Sequence, residues 1–103
     1  MGLLGFLGLG NKAAKISEFI NKGAIIIDVR TPGEFNSGHI EGSKNIPLNT
    51  ITANADEIKK LQKPVIVCCA SGMRSAQAAT MLKSKDIEVV NGGGWRSLER
   101  KLG

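Results

Sequence analysis

Tyrosine is absent from this 103-residue chain, and the aromatic total is one tryptophan and three phenylalanines. So few rings leave little on which bases could stack, which argues against a nucleic-acid partner. There is one histidine, His39, and there are two cysteines, Cys68 and Cys69, which are neighbours. Adjacent cysteines close only a strained ring, so a structural disulfide is not expected. Nor do two cysteines at this spacing and one histidine complete a zinc site. Reduced thiols in a cytoplasmic setting fit the pattern. No apolar run is long enough to span a bilayer, so no transmembrane segment is expected.

The stretch 1–11 is apolar and carries no charge before Lys12. It lacks the basic region and the small-residue cleavage site of a secretory signal. Phe6 stands where myristoylation needs Ser or Thr. An apolar tail resting on the domain or on a second copy is expected, with contact to a membrane surface as the alternative. Residues 12–103 form one domain, long enough to bury a core without staples. Lys and Arg number 14 against 9 acidic residues, a formal charge of +5. The basic residues are scattered, which suits a solvated surface; attraction of small anions is the second reading.

Ile16, Phe19 and Ile20 recur at helical spacing, predicting a helix over 13–21 that Gly23 closes. The β-branched run 24–29 predicts a buried strand. Thr31, Pro32 and Glu34 form a capping-box start for a short helix ended by Gly38. A short strand is expected around Ile46, and an exposed helix over 54–62 is stopped by Pro64. The run 64–69 is a second buried strand, and a helix over 74–82 presents Ser75, Ala78, Ala79 and Leu82 on one face. A strand over 87–90, a glycine turn over 91–94 and a helix over 95–102 complete the chain. Strands alternating with helices predict an α/β domain with a mainly parallel sheet.

Sites in such sheets gather at the carboxyl ends of strands, and Cys69 ends one of them. The loop Ala70, Ser71, Gly72, Met73 then enters the next helix at Arg74 and Ser75. Backbone N–H groups and a helix N-terminus converge there, an arrangement that favours an anion and lowers a cysteine pKa. Gly72 lets the loop curl, Arg74 brings a fixed charge to its mouth, and the small Ala70 and Ser71 leave room for a substrate. The same cradle of donors suits a persulfide, whose charge sits on the outer sulfur.

Residues 69–82 resemble the active loop and following helix of a single-domain rhodanese. The stretches 28–40 and 42–48 are similar to the upstream signature of that family, and 91–95 resembles its glycine turn. Together the likeness runs from Ile16 to Leu102. It implies a five-stranded, mainly parallel sheet flanked by helices. It also implies sulfur transfer through a persulfide on a catalytic Cys69, with Ala70, Ser71, Gly72, Met73, Arg74 and Ser75 binding the persulfide and substrate. The implied partners are a small sulfur donor such as thiosulfate and a thiophilic acceptor (cyanide, a thiol or a protein). No metal or organic cofactor is implied. Arg74 follows Cys69 after four residues; the five-residue loop of rhodanese-like and tyrosine phosphatases is wider, so the sulfurtransferase class is favoured over a phosphatase. A sulfur carrier that docks a protein, with incidental thiosulfate activity, is the alternative. The family often has an aromatic residue where this chain has Leu98, and Trp95 instead follows the glycines directly.

Asp28 and Arg30 are expected to support the loop through ion pairs with Arg74 and Glu34. Cys68 is expected to be a buried strand residue, against the sharper role of a resolving thiol. His39 is expected to make a structural hydrogen bond, against that of a general base. Trp95 is expected to plug the core or the rim. Gly8 and Gly10 lack the strand and spacing of a dinucleotide motif.

Overall fold

The structure is a computed structural model, describing the backbone from Leu3 to Gly103 and side chains from Lys12 onward. The expected packing of the 1–11 segment concerns side chains outside the described residues. Helix α1 (Leu3–Asn21) begins well before the expected Ala13, because no proline interrupts the helix there. Strand β1 (Ile25–Asp28), helix α2 (Pro32–Asn36), strand β2 (Lys44–Asn45) and a single 3₁₀ turn (Leu48–Thr50) follow. Helix α3 (Ala55–Lys60), strand β3 (Val65–Cys69), helix α4 (Met73–Lys83), strand β4 (Val89–Gly94) and helix α5 (Trp95–Leu102) complete the order. Among the described residues no helix is long and apolar enough to cross a membrane.

The strands pair in parallel in the order β2-β1-β3-β4. The expected five-stranded sheet is therefore corrected to four among the described residues. The family likeness implied five, yet the described backbone before β1 is taken up by α1, which leaves no segment there for a further strand. The glycine turn expected over 91–94 is also corrected, since β4 runs through Gly94. A bulge there shifts the register, so that Val67 pairs with Asn91 but Cys68 with Gly93.

Alternation along β3 divides the core. Val65, Val67 and Cys69 face α3 and α4, where Ile58, Ala78 and Leu82, with Ile51 just after the 3₁₀ turn, close over them. Ile66 and Cys68 face the other way, toward Ile16 and Phe19 of α1 and Leu98 of α5. All five residues of β3 are buried, as a central parallel strand demands. The buried stripe of α4 is Ser75, Ala78, Ala79 and Leu82, as its spacing predicts. Three of these are small, and α4 lies close on the end of β3 as a result.

Candidate active site

The chain turns directly from β3 into α4 through Ala70, Ser71 and Gly72. Gly72 has φ of 103°, a left-handed conformation that costs a residue with a Cβ heavily. That conformation aims the Gly72 N–H at Cys69 Sγ, 3.0 Å away. The Ser75 N–H reaches the same sulfur at 3.4 Å, and the Ser75 hydroxyl lies 3.3 Å from it. The far side of the cradle is β4, where Gly94 approaches so closely that a Cβ would sit 2.9 Å from the Ala70 carbonyl oxygen.

Burial opposes ionisation of Cys69. The hydrogen bonds from the Ser75 hydroxyl and from the N–H groups of Ser75, Gly72 and Ser71 outweigh it, bringing the thiol below its ordinary pKa. Its neighbour behaves in the opposite way. Burial, reinforced by the Asp28 charge, pushes Cys68 up to about 12. Both thiols are free, and they occupy opposite faces of the sheet. Cys68 is thus the buried strand residue expected, placed away from any exchange with Cys69.

The arginines are partnered differently from expectation, and the ion pairs expected of Asp28 with Arg74 and of Arg30 with Glu34 are corrected. Asp28 and Arg30 pair with each other: Nε and Nη2 of Arg30 hold the carboxylate at 2.7 to 3.0 Å. The strand alternation puts both on the Cys68 face, with side chains 0% and 5% exposed, beyond the reach of the loop. Arg30 supports the site indirectly. Its Nη1 and Nη2 donate to the Glu34 and Gly38 carbonyls, and its guanidinium stacks on Trp95 at 4.7 Å. Trp95 is half-buried and packs on the core cluster of Ile66, Cys68 and Leu98, the face of the sheet opposite Cys69.

Glu34 belongs to the capping box of α2 with Thr31. Its carboxylate accepts both ends of the Arg74 fork, at 2.8 and 3.0 Å. That pairing and the Thr31 N–H hold Glu34 at about 2, down from 4.5. The guanidinium expected at the mouth is therefore tied to α2, fixing the start of α4 against α2. Ala70, Ser71 and Met73 form the exposed lip, Met73 being 77% exposed. His39 stacks on Phe35 and hydrogen-bonds its carbonyl oxygen at 2.8 Å, the structural bond expected. Among the described residues no group of His, Cys, Asp and Glu is placed to hold a metal.

One participant was not anticipated. Asn91 lies at the bulge of β4, where its Oδ1 accepts from the Ser75 hydroxyl at 2.6 Å and from the Gly93 N–H at 2.9 Å. Its Nδ2 donates to the Gly72 carbonyl at 3.1 Å. A polar residue at the carboxyl end of a parallel strand, next to glycines, was the available signal.

The model of the family described as Rhodanese-like domain matches residues 12–100. The chain belongs to the rhodanese-like family. A protein of Bacillus subtilis, YqhL, described as uncharacterized, is 41% identical over 81 residues, covering 77% of this chain and 64% of that one. A thiosulfate sulfurtransferase, GlpE of Stutzerimonas stutzeri, is 37% identical over 73 residues, 68% of this chain and 63% of GlpE. The chain thus spans slightly under two thirds of the length of these relatives. Among solved structures, a rhodanese-like domain protein from Staphylococcus aureus superposes with a TM-score of 0.66 at 34% identity over 74% of each chain. A rhodanese from E. coli, solved with anions, gives 0.65 at 32% identity over 71% of this chain and 88% of that one.

Proposed function

We propose that the protein is a sulfurtransferase working through a persulfide on Cys69. The observation that carries this reading is the Cys69 sulfur, held by Gly72 and Ser75 N–H donors and the Ser75 hydroxyl. These donors favour the thiolate, the form that attacks. The thiolate attacks the outer, sulfane sulfur of thiosulfate. A new S–S bond forms, the bond to the sulfonate sulfur breaks, and sulfite departs with the electron pair. The negative charge of the resulting Cys69–S–S⁻ rests on the outer sulfur, beneath the loop and the start of α4. A thiophilic acceptor then attacks that outer sulfur. Cyanide, for instance, leaves as thiocyanate and the Cys69 thiolate is regenerated. No net oxidant or reductant enters the cycle.

Cys69 has no exposed surface, so the donor sulfur reaches it by displacing the small lip residues Ala70 and Ser71. A phosphate cradle is disfavoured because the fork of Arg74, the guanidinium that follows the loop, is bound by Glu34. The relatives described as thiosulfate sulfurtransferases support the donor class. A protein acceptor is the second reading, favoured by Met73, an exposed apolar side chain at the lip. A reducing, cytoplasmic location belongs to the same proposal, since both thiols stay free.

Whole-protein mass after thiosulfate treatment tests the proposal. Wild type is expected to gain one sulfur atom, lost again on adding cyanide. Equal uptake by Cys69→Ala would overturn it. For the acceptor, transfer to a protein thiol is compared with transfer to cyanide, and Met73→Ser is expected to slow the former alone.

A further inference from the structure

The Ser75 hydroxyl is fully buried between two acceptors, Asn91 Oδ1 at 2.6 Å and Cys69 Sγ at 3.3 Å. It has one hydrogen to offer them. The orientation of the Asn91 amide follows from its other partners. Oδ1 accepts from the Gly93 N–H, and Nδ2 donates to the Gly72 carbonyl. A flipped amide would set donor against donor at Gly93 and acceptor against acceptor at Gly72. Asn91 therefore presents an oxygen to Ser75, and the hydroxyl must choose between that oxygen and the sulfur.

We propose that Asn91 is a positioning residue for the reaction, receiving the Ser75 hydroxyl hydrogen bond whenever the negative charge leaves Cys69 Sγ. The proposal rests on the sulfurtransferase reading. In the empty enzyme the thiolate draws the Ser75 O–H, while Asn91 Oδ1 keeps the Gly93 N–H. Once sulfur is loaded, Sγ is neutral and the charge lies one atom further out, so the O–H turns to Asn91. In neither state is the buried hydroxyl left unpaired, and loading and unloading are brought closer to balance. The charged and titratable groups around the sulfur are few. Among the described residues they are Arg74 on α4, neutralised by Glu34 of α2, and, on the opposite face of the sheet, the Cys68 thiol and the mutually paired Asp28 and Arg30 at the end of β1. From β4 the facing groups are the uncharged Asn91 and Gly92–Gly94.

Two readouts test this: the pH profile of Cys69 alkylation by iodoacetamide, and the persulfide-to-thiol ratio by intact mass at a fixed thiosulfate-to-sulfite ratio. Asn91→Ala removes the competing acceptor. The alkylation midpoint is expected to fall by roughly half a pH unit and the persulfide ratio by roughly threefold, the same free-energy change read in two ways. Asn91→Asp keeps an acceptor in place, which guards against a variant that fails to fold, and is expected to move the midpoint up. The Asn91→Ala midpoint shift is expected to vanish in a Ser75→Ala background, because Asn91 acts through Ser75, whereas the Asn91→Asp shift is expected to shrink to the part that its added charge exerts directly on the sulfur. An Asn91→Ala shift of equal size in that background, an Asn91→Asp shift undiminished there, or no shift with either Asn91 variant, would overturn the proposal. A wild type that takes up no sulfur removes the sulfurtransferase reading and the loading half of the proposal with it. The alkylation cycle judges the Ser75–Asn91 switch by itself.

Discussion

Adding one methyl group at Gly94 probes how tightly β4 closes the cradle. The backbone there has φ −69° and ψ 138°, which alanine adopts without strain, so any effect comes from what the Cβ meets. It would lie 2.9 Å from the Ala70 carbonyl oxygen, 3.7 Å from the Ala70 carbonyl carbon and 3.9 Å from Ser71 Cα. Relief of the first contact requires the backbone just after Cys69 to retreat by roughly half an ångström. Overpacking of this kind costs about 1–3 kcal/mol. In a domain of this size each kcal/mol lowers Tm by about 4–8 °C, so Gly94→Ala is expected to melt roughly 5–20 °C below wild type. Because the displaced carbonyl precedes the turn that aims the Gly72 N–H, Cys69 alkylation near neutral pH is expected to slow in step. Gly33→Ala is the control: no atom lies within 4 Å of its added Cβ. Alanine in α2 should leave Tm unchanged or slightly raised. A Gly94→Ala protein with Tm within about 1 °C of wild type and undiminished alkylation would refute the reasoning.

Arg30→Leu leaves the fully buried Asp28 carboxylate without its partner, and is expected to cost about 3–5 kcal/mol in urea unfolding; a loss below about 1 kcal/mol would mean the pair is dispensable. Glu34 has its pKa depressed from 4.5 to about 2, so its pairing with Arg74 and Thr31 contributes stability above the unfolded value that is lost as pH falls toward about 2. The wild type is therefore expected to exceed Glu34→Gln in urea midpoint at about pH 6, with the gap closing as the pH is lowered to about 2; a gap independent of pH would count against this account. Cys68→Ala is expected to retain sulfur uptake in the mass assay at a stability cost of about 1 kcal/mol for the lost buried volume; loss of uptake would make Cys68 a participant.

The local features of this chain were legible without the fold. The capping box at Thr31 and Glu34 forms as spaced, because it is closed within four residues. The small-residue stripe of α4 turns inward as its periodicity requires, and α5 spans Trp95–Leu102 as read. Cys69 was identifiable as the end of a strand feeding a helix. Partner choice was not legible. Asp28 and Arg30 bind one another because Asp28 ends β1 on the face that points away from Cys69 and Arg30 follows two residues later on the same side. Glu34 is left to Arg74 across forty positions of sequence. Asn91 escaped notice because a lone Asn before three glycines reads as turn chemistry, whereas the bulge of β4 carries it to Ser75.

Sequence alone determined most of the elements and the thiol, since caps and helix faces answer to neighbours one to four residues away. Only the tertiary structure decided which donors reach the sulfur, how many strands share the sheet and which carboxylate holds which arginine. Those outcomes depend on register and on which face each strand residue presents. A single-residue shift reverses that face, and only the packing of β3 against β1, β4 and α4 fixes it.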